Sequence, residues 1–189
     1  MDGETTSNRC LLLIDLFNHF QFDDGKALAQ ALVNIVPTLA ETIVKARNAR
    51  IPIIYCNDNF GRWHETWKEV FAFTEREGLL ESTMLFEQLS PQPGDIVLLK
   101  SRHSAFFETQ LPSLLNDLHV RSMAIAGAAT DACVLCTAID AHVRGLRVTV
   151  LEDVIAAASR MRKERALDEM KEGLGLRVCS CACWLLENE

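Results

Sequence analysis

The sequence predicts an α/β fold, a single domain around a mainly parallel sheet of about six strands. Three observations carry this expectation. Short apolar runs of strand length recur along the chain: RCLLLID, IPIIYC, IVLLK, MAIA and RVTVL. Between them lie segments with apolar residues at helical spacing, and strand alternating with helix is the pattern of a parallel sheet with helical crossovers. Several runs then close on a charged or very small residue, at Asp15, Asp58, Lys100, the turn before Cys133, and Asp153. In open sheets of this kind ligands bind beyond the carboxyl ends of the strands.

Residues 9–15 read as the first strand, apolar throughout and so buried on both faces. Residues 21–25 are polar and turn-like. Residues 27–50 carry Leu28, Leu32, Ile35, Val36, Leu39, Ile43 and Val44 at helical spacing, with Pro37 marking a kink or a break into two helices. Residues 51–56 are the second strand. Residues 61–78 hold Trp63, Trp67, Phe71 and Phe73 and read as a helix or ordered loop over one end of the sheet; 79–89 are irregular or helical, and 91–95 form a turn.

Residues 96–100 are the third strand, and it ends in a lysine. A loop over 101–107 leads to a short helix over 108–117 with Pro112 in its first turn. A buried strand follows at 123–126, then the small residues Gly127, Ala128 and Ala129, then a helix capped by Thr130 or Asp131 and stopped by Gly145. Residues 147–151 form a fifth strand closed by Glu152 and Asp153. Residues 160–172 are a charged amphipathic helix ended by 173–175, 177–181 a sixth, edge strand, and 184–186 a final short helix.

The totals narrow the function. At 189 residues the chain is long enough for one full core, and a net charge of −7 leaves no basic footprint for nucleic acid. No uninterrupted apolar run reaches membrane-spanning length, so no membrane partner is expected. The start, MDGETTSNRC, lacks a basic segment followed by an apolar one, which argues against a secretion signal. Seven cysteines, an odd number, fit reduced thiols in a cytoplasmic setting better than a disulfide framework. Cys179, Cys181 and Cys183 alternate and would share one face of a strand; their spacing is not that of a zinc or redox motif, and they read as packing residues.

Cys133 is the candidate nucleophile. Most free cysteines pack as small hydrophobes, and Cys136 is read that way. Cys133 instead falls in the first turn of a helix, where the dipole and free N–H groups favour a thiolate. The small residues ahead of it let backbone amides approach a bound carbonyl. A carboxylate within reach can take the thiol proton and an ammonium can offset the charge that results; Asp15 and Lys100 supply that pair. A lysine at the carboxyl end of a strand has no comparable structural purpose.

The segments LLLIDLFNHF, LLKSRHSAFFETQL and IAGAATDACVLCTAIDAHVRGLRVTVLEDV, in this order and each at a strand end, resemble the isochorismatase-like cysteine hydrolases. That family includes nicotinamidases and N-carbamoylsarcosine amidohydrolases. The resemblance runs from the first strand to about Ala158 and is weakest over residues 61–93 and after Arg160. It implies a Rossmann-like three-layer α/β/α sandwich, with Asp15 as general base, Lys100 as third catalytic group and Cys133 as nucleophile. It also implies a cis peptide between Ala128 and Ala129, with the N–H groups of Ala129 and Cys133 forming the oxyanion hole. Phe17, Asn18 and Phe20 match the family's D-x-x-N-x-F pattern bordering the substrate, and Trp63 and Thr130 join them as expected pocket residues. Arg102 and His103 follow Lys100, with Arg102 read as an anchor for a neighbouring loop or as a holder of a carboxylate, and Phe106 and Thr109 read as structural parts of the loop.

The resemblance departs from the family at one point. Nicotinamidases hold a divalent ion through Asp-x-His and a downstream His. Here the segment is Asp58-Asn59-Phe60, with His64 nearby, so no metal or other cofactor is expected. The leading expectation is therefore a metal-independent cysteine amidohydrolase acting on a small amide, carbamoyl or ureido compound. A non-catalytic binding member of the same fold and a thiol redox sensor are the alternatives. The family commonly forms dimers or tetramers, so a homo-oligomer is expected.

Overall fold

A computed structural model describes residues 7–186; residues 1–6, the start of the stretch read for a secretion signal, and 187–189 lie outside the described residues. Six strands form one sheet: β1 (Arg9–Ile14), β2 (Ile53–Asp58), β3 (Ile96–Lys100), β4 (Ser122–Ala128), β5 (Arg147–Ala156) and β6 (Arg177–Cys179). Their order is β3-β2-β1-β4-β5-β6, and every neighbouring pair is parallel.

Alternation along each strand sends successive side chains to opposite faces. Leu11 and Leu13 of β1, Ile53 and Tyr55 of β2, and Ala124 and Ala126 of β4 face one core. It is covered by α1 (Gly25–Asn48), α2 (Trp67–Glu77), α3 (Leu80–Leu89) and α7 (Cys181–Leu185). Leu12, Ile14, Ile54, Cys56 and Ile125 face the other, under α4 (Leu111–Asp117), α5 (Leu135–Val143) and α6 (Arg160–Asp168). Both sheet faces are thus dry, which is why the strands read as unbroken apolar runs. The architecture is the Rossmann-like three-layer α/β/α sandwich.

Several local expectations are corrected. Pro37 does not divide the first helix: α1 runs unbroken through it. Pro37 lies on the exposed side, so the missing N–H leaves its gap toward solvent. By length and composition α1 is also apolar enough to cross a membrane, unlike the shorter runs on which the sequence expectation rested. Its stripe of Leu28, Leu32, Val36, Leu39 and Ile43 is packed into the core beneath the sheet.

Further on, β5 continues five residues past Leu151. A register shift opposite Ile125 and Gly127 carries Glu152 and Asp153 through an irregularity, after which Val154 and Ile155 re-enter the core. Asp153 accepts the N–H of Cys181 at 2.9 and 3.1 Å. Only Cys179 of the cysteine trio lies in β6; Cys181 and Cys183 are in α7, so the three share no strand face. Cys181 is buried and Cys183 exposed. All seven cysteines are free thiols.

The turn after β4 depends on Gly127. Its φ is +112°, and a Cβ there would come within 2.0 Å of the Ile14 carbonyl oxygen in β1. Gly127→Ala is expected to lower stability by about 3 kcal/mol or more, because it combines a disfavoured backbone angle with a clash against rigid backbone. Urea unfolding tests this; a change below about 1 kcal/mol would show that β1 and β4 separate easily.

Candidate active site

The strand order reverses direction between β1 and β4, so this is the switch point at which a parallel sheet opens a crevice at its carboxyl edge. Asp15 follows β1 there, with a positive φ of 46°. Its N–H donates to the Cys56 carbonyl, and its Oδ1 accepts the Asp58 N–H at 2.7 Å. Asn57, buried, grips the segment beyond: its Oδ1 accepts the Phe17 N–H at 2.9 Å and its Nδ2 donates to the Phe17 carbonyl at 2.8 Å. Lys100 closes β3 opposite Asp58, and its side chain is wholly enclosed at 1% residue exposure.

Cys133 lies in a π-helical turn, Thr130–Val134, that leads into α5. Neither Thr130 nor Asp131 caps it with a side chain, contrary to expectation: Ala129 holds the cap position. The Thr130 hydroxyl is buried with no partner among the described residues. Asp131 instead meets Arg162 at 2.6 Å. The peptide between Ala128 and Ala129 is cis.

These elements bring the three distant side chains into contact. The Lys100 Nζ is 2.7 Å from Asp15 Oδ2 and 3.5 Å from Cys133 Sγ, with Asp58 Oδ2 farther off at 3.8 Å. The Lys100 ammonium thus joins the Asp15 carboxylate to the Cys133 thiol. Burial raises the Asp15 pKa, and Lys100 and the thiol only partly offset it. Burial acts to lower the Lys100 ammonium, but Asp15, Cys133 and Asp58 outweigh it and hold the group above the usual lysine range. Burial and the adjacent Asp15 push the Cys133 thiol well up, against the pull of Lys100. Burial and Asp15 thus oppose the thiolate that the helix terminus favours, and Lys100 supports it.

A cavity of about 440 Å³ opens over this cluster, with Asp15, Asn18, His103, Ala129, Cys133 and Arg162 on its walls. That volume suits a small ligand. Of the residues expected on the pocket wall, Asn18 is there, its carbonyl tied by the Ser82 hydroxyl at 2.8 Å. Phe17 and Phe20 are not: both are core residues, Phe17 packing its ring 4.2 Å from that of Phe71. Thr130 is sealed behind the turn, and Trp63 is 69% exposed, away from the cavity lining.

Two wall residues were not read from the sequence as such. His103 places its Nδ1 3.5 Å from Cys133 Sγ. The loop carrying it is pinned to α5, with the Ser104 hydroxyl donating to Asp140 at 2.6 Å and the Ala105 N–H to Thr137 at 3.0 Å. Arg162, in the segment expected as a charged amphipathic helix, bridges Asp24 and Asp131 at 2.6 Å each, and both acids also line the cavity. No sequence signal distinguished it from its charged neighbours.

The donors for a divalent ion do not assemble. Phe60 offers a ring packed 5.1 Å from that of His19, Asp58 Oδ1 is taken by the Phe60 N–H at 2.7 Å, and His64 is exposed. Among the described residues no group of three or more His, Cys, Asp or Glu side chains is placed to hold a metal.

A family model described as the isochorismatase domain matches residues 9–182. The chain belongs to the isochorismatase family. The isochorismatase family protein YaaI of Bacillus subtilis is 38% identical over 168 residues, covering 89% of this chain and 91% of that protein. The ureidoacrylate amidohydrolase RutB of Pantoea ananatis is 46% identical over 175 residues, covering 80% of this chain and 70% of its own. Among solved structures, the nicotinamidase SaPncA from Staphylococcus aureus superposes with a TM-score of 0.72 at 28% identity, over 93% of this chain and all of that one.

Proposed function

We propose that this isochorismatase-family hydrolase cleaves the C–N bond of a small amide, carbamoyl or ureido compound through a thioester on Cys133. The observation that carries the reading is the contact of thiol, buried carboxylate and buried ammonium at the floor of a small-ligand cavity. Similarity to RutB, named for amidohydrolysis of a ureido compound, supports the bond type.

In the first half-reaction Sγ attacks the substrate carbonyl carbon as the Asp15 carboxylate takes the thiol proton. The negative charge passes to the carbonyl oxygen, which the N–H groups of Ala129 and Cys133 receive. Asp15 gives the proton to the nitrogen as the C–N bond breaks, and the amine leaves. In the second half, Asp15 takes a proton from water, whose oxygen attacks the thioester carbon. The proton returns to sulfur as the acid departs. Lys100 opposes the burial that raises the Asp15 pKa and offsets charge on sulfur during attack. Burial disfavours charge on sulfur until the substrate carbon is there to receive it.

The test is an ammonia-release screen over small amides, carbamoyl compounds and ureides, with Cys133→Ala as control. Release that the variant abolishes is the expected result; no release from any compound class overturns the reading.

The pH profile gives a second prediction. Asp15 works only when ionised, and burial holds its pKa above that of a free aspartate, about 4. Activity should therefore rise with pH through a limb displaced upward from that value. The same shift means that the native state binds the proton more tightly than the unfolded chain. Asp15 thus costs stability as pH rises from the unfolded value through the native one. A kcat/KM profile flat down to pH about 4 would remove Asp15 from the base role.

A further inference from the structure

A second cavity, of about 470 Å³, opens at the amino ends of β1, β4, β5 and β6. It lies at the opposite edge of the sheet from Cys133, with about 17 Å of strand between them at some 3.3 Å per residue. Arg9, Arg147, Arg177 and His142 line it, and among the described residues no aspartate or glutamate does. In a chain with 26 acidic and 19 Lys and Arg residues, Arg9 and Arg147 on a described lining that holds no acid are a local reversal of charge. Such a concave basic surface repels itself and attracts anions. Among the described residues neither Arg9 nor Arg147 forms an ion pair.

Arg9 is also fixed in place. Its Nη1 donates to the Trp184 carbonyl at 3.1 Å, and its guanidinium carbon stands 5.2 Å over the Trp184 ring. Its Nε is buried and has no acceptor among the described residues. A cation held this way loses little freedom on binding a ligand, and a buried donor without an acceptor is an unfavourable arrangement that an anion relieves. Leu146, Val148 and Leu176 give the cavity an apolar floor. Planar guanidinium groups match the oxygens of phosphate, and several cations together match its double charge better than a single carboxylate.

We propose that this cavity binds a small organic phosphate, its charged group on Arg9 and Arg147 and its apolar body on the floor. The site is separate from the catalytic cluster and does not depend on the hydrolase reading.

Isothermal titration of the full chain with AMP, adenosine, inorganic phosphate and citrate tests it, in wild type, Arg147→Glu, Arg147→Ala and Cys133→Ala. Arg147 is exposed, so both of its variants should fold. Wild type and Cys133→Ala should bind AMP alike, inorganic phosphate should compete, and Arg147→Glu should weaken AMP by about tenfold or more, with Arg147→Ala between them. Adenosine bound as tightly as AMP, citrate bound more tightly, AMP affinity unchanged in Arg147→Glu, or no binding of AMP at millimolar concentration would each overturn the proposal.

Discussion

Cys133→Ala is expected to fold as the wild type does and to release ammonia at a rate lower by on the order of 10⁴-fold or more, as when a nucleophilic serine is removed from a hydrolase. The side chain is small and only partly buried, so its loss leaves little void. Asp15 loses one hydrogen-bond donor but keeps Lys100 at 2.7 Å and the Asp58 N–H, so stability should change by no more than about 1 kcal/mol. Asp15→Asn should be as inactive for a different reason: the shape is kept, but nothing remains to take the thiol proton. The two losses should not add, because both remove the same step. Ammonia release, thermal unfolding and the double variant measure all three points. Retention of a tenth or more of the activity by Cys133→Ala would mean that another group attacks the substrate.

Much of this was legible in the sequence because a parallel sheet buried on both faces announces its strands as apolar runs, and because such a sheet gathers strand ends at one edge. Asp15, Lys100 and Cys133 are far apart in the chain, yet each ends a strand or follows one, so topology alone brings them together. The pocket walls were less legible. The resemblance to the family's D-x-x-N-x-F pattern suggested Phe17 and Phe20 as wall residues; Asn57 instead fixes the backbone so that the Phe17 ring turns into the core. Arg162 and His103 reach the cavity through loops and a helix whose approach no local pattern encodes. The effect of burial and Asp15 on the Cys133 thiol was also out of reach, since it arises from residues distant in sequence.

Lys100→Met should lose stability as well as activity, and the dependence on pH identifies the cause. The ammonium is enclosed and lies 2.7 Å from a nearly buried carboxylate. Removing it strands Asp15 without a counterion beside Asp58, and breaking a buried pair from one side costs about 3–5 kcal/mol. For a chain of this length that is a fall of about 10 °C in Tm. Without Lys100 the Asp15 pKa, already raised, rises further above its unfolded value. The variant's deficit should therefore be smallest near pH 4, where the unfolded carboxyl titrates, and should grow as pH rises through the native value. Asp15→Asn combined with Lys100→Met leaves no buried charge at the pair, so the double variant should recover much of the lost stability while staying inactive. Recovery without activity would separate the two duties of the pair, holding the crevice together and moving the proton. A Lys100→Met protein as stable as wild type at pH 8 would show that water already reaches Asp15 and that the ammonium is dispensable to the fold.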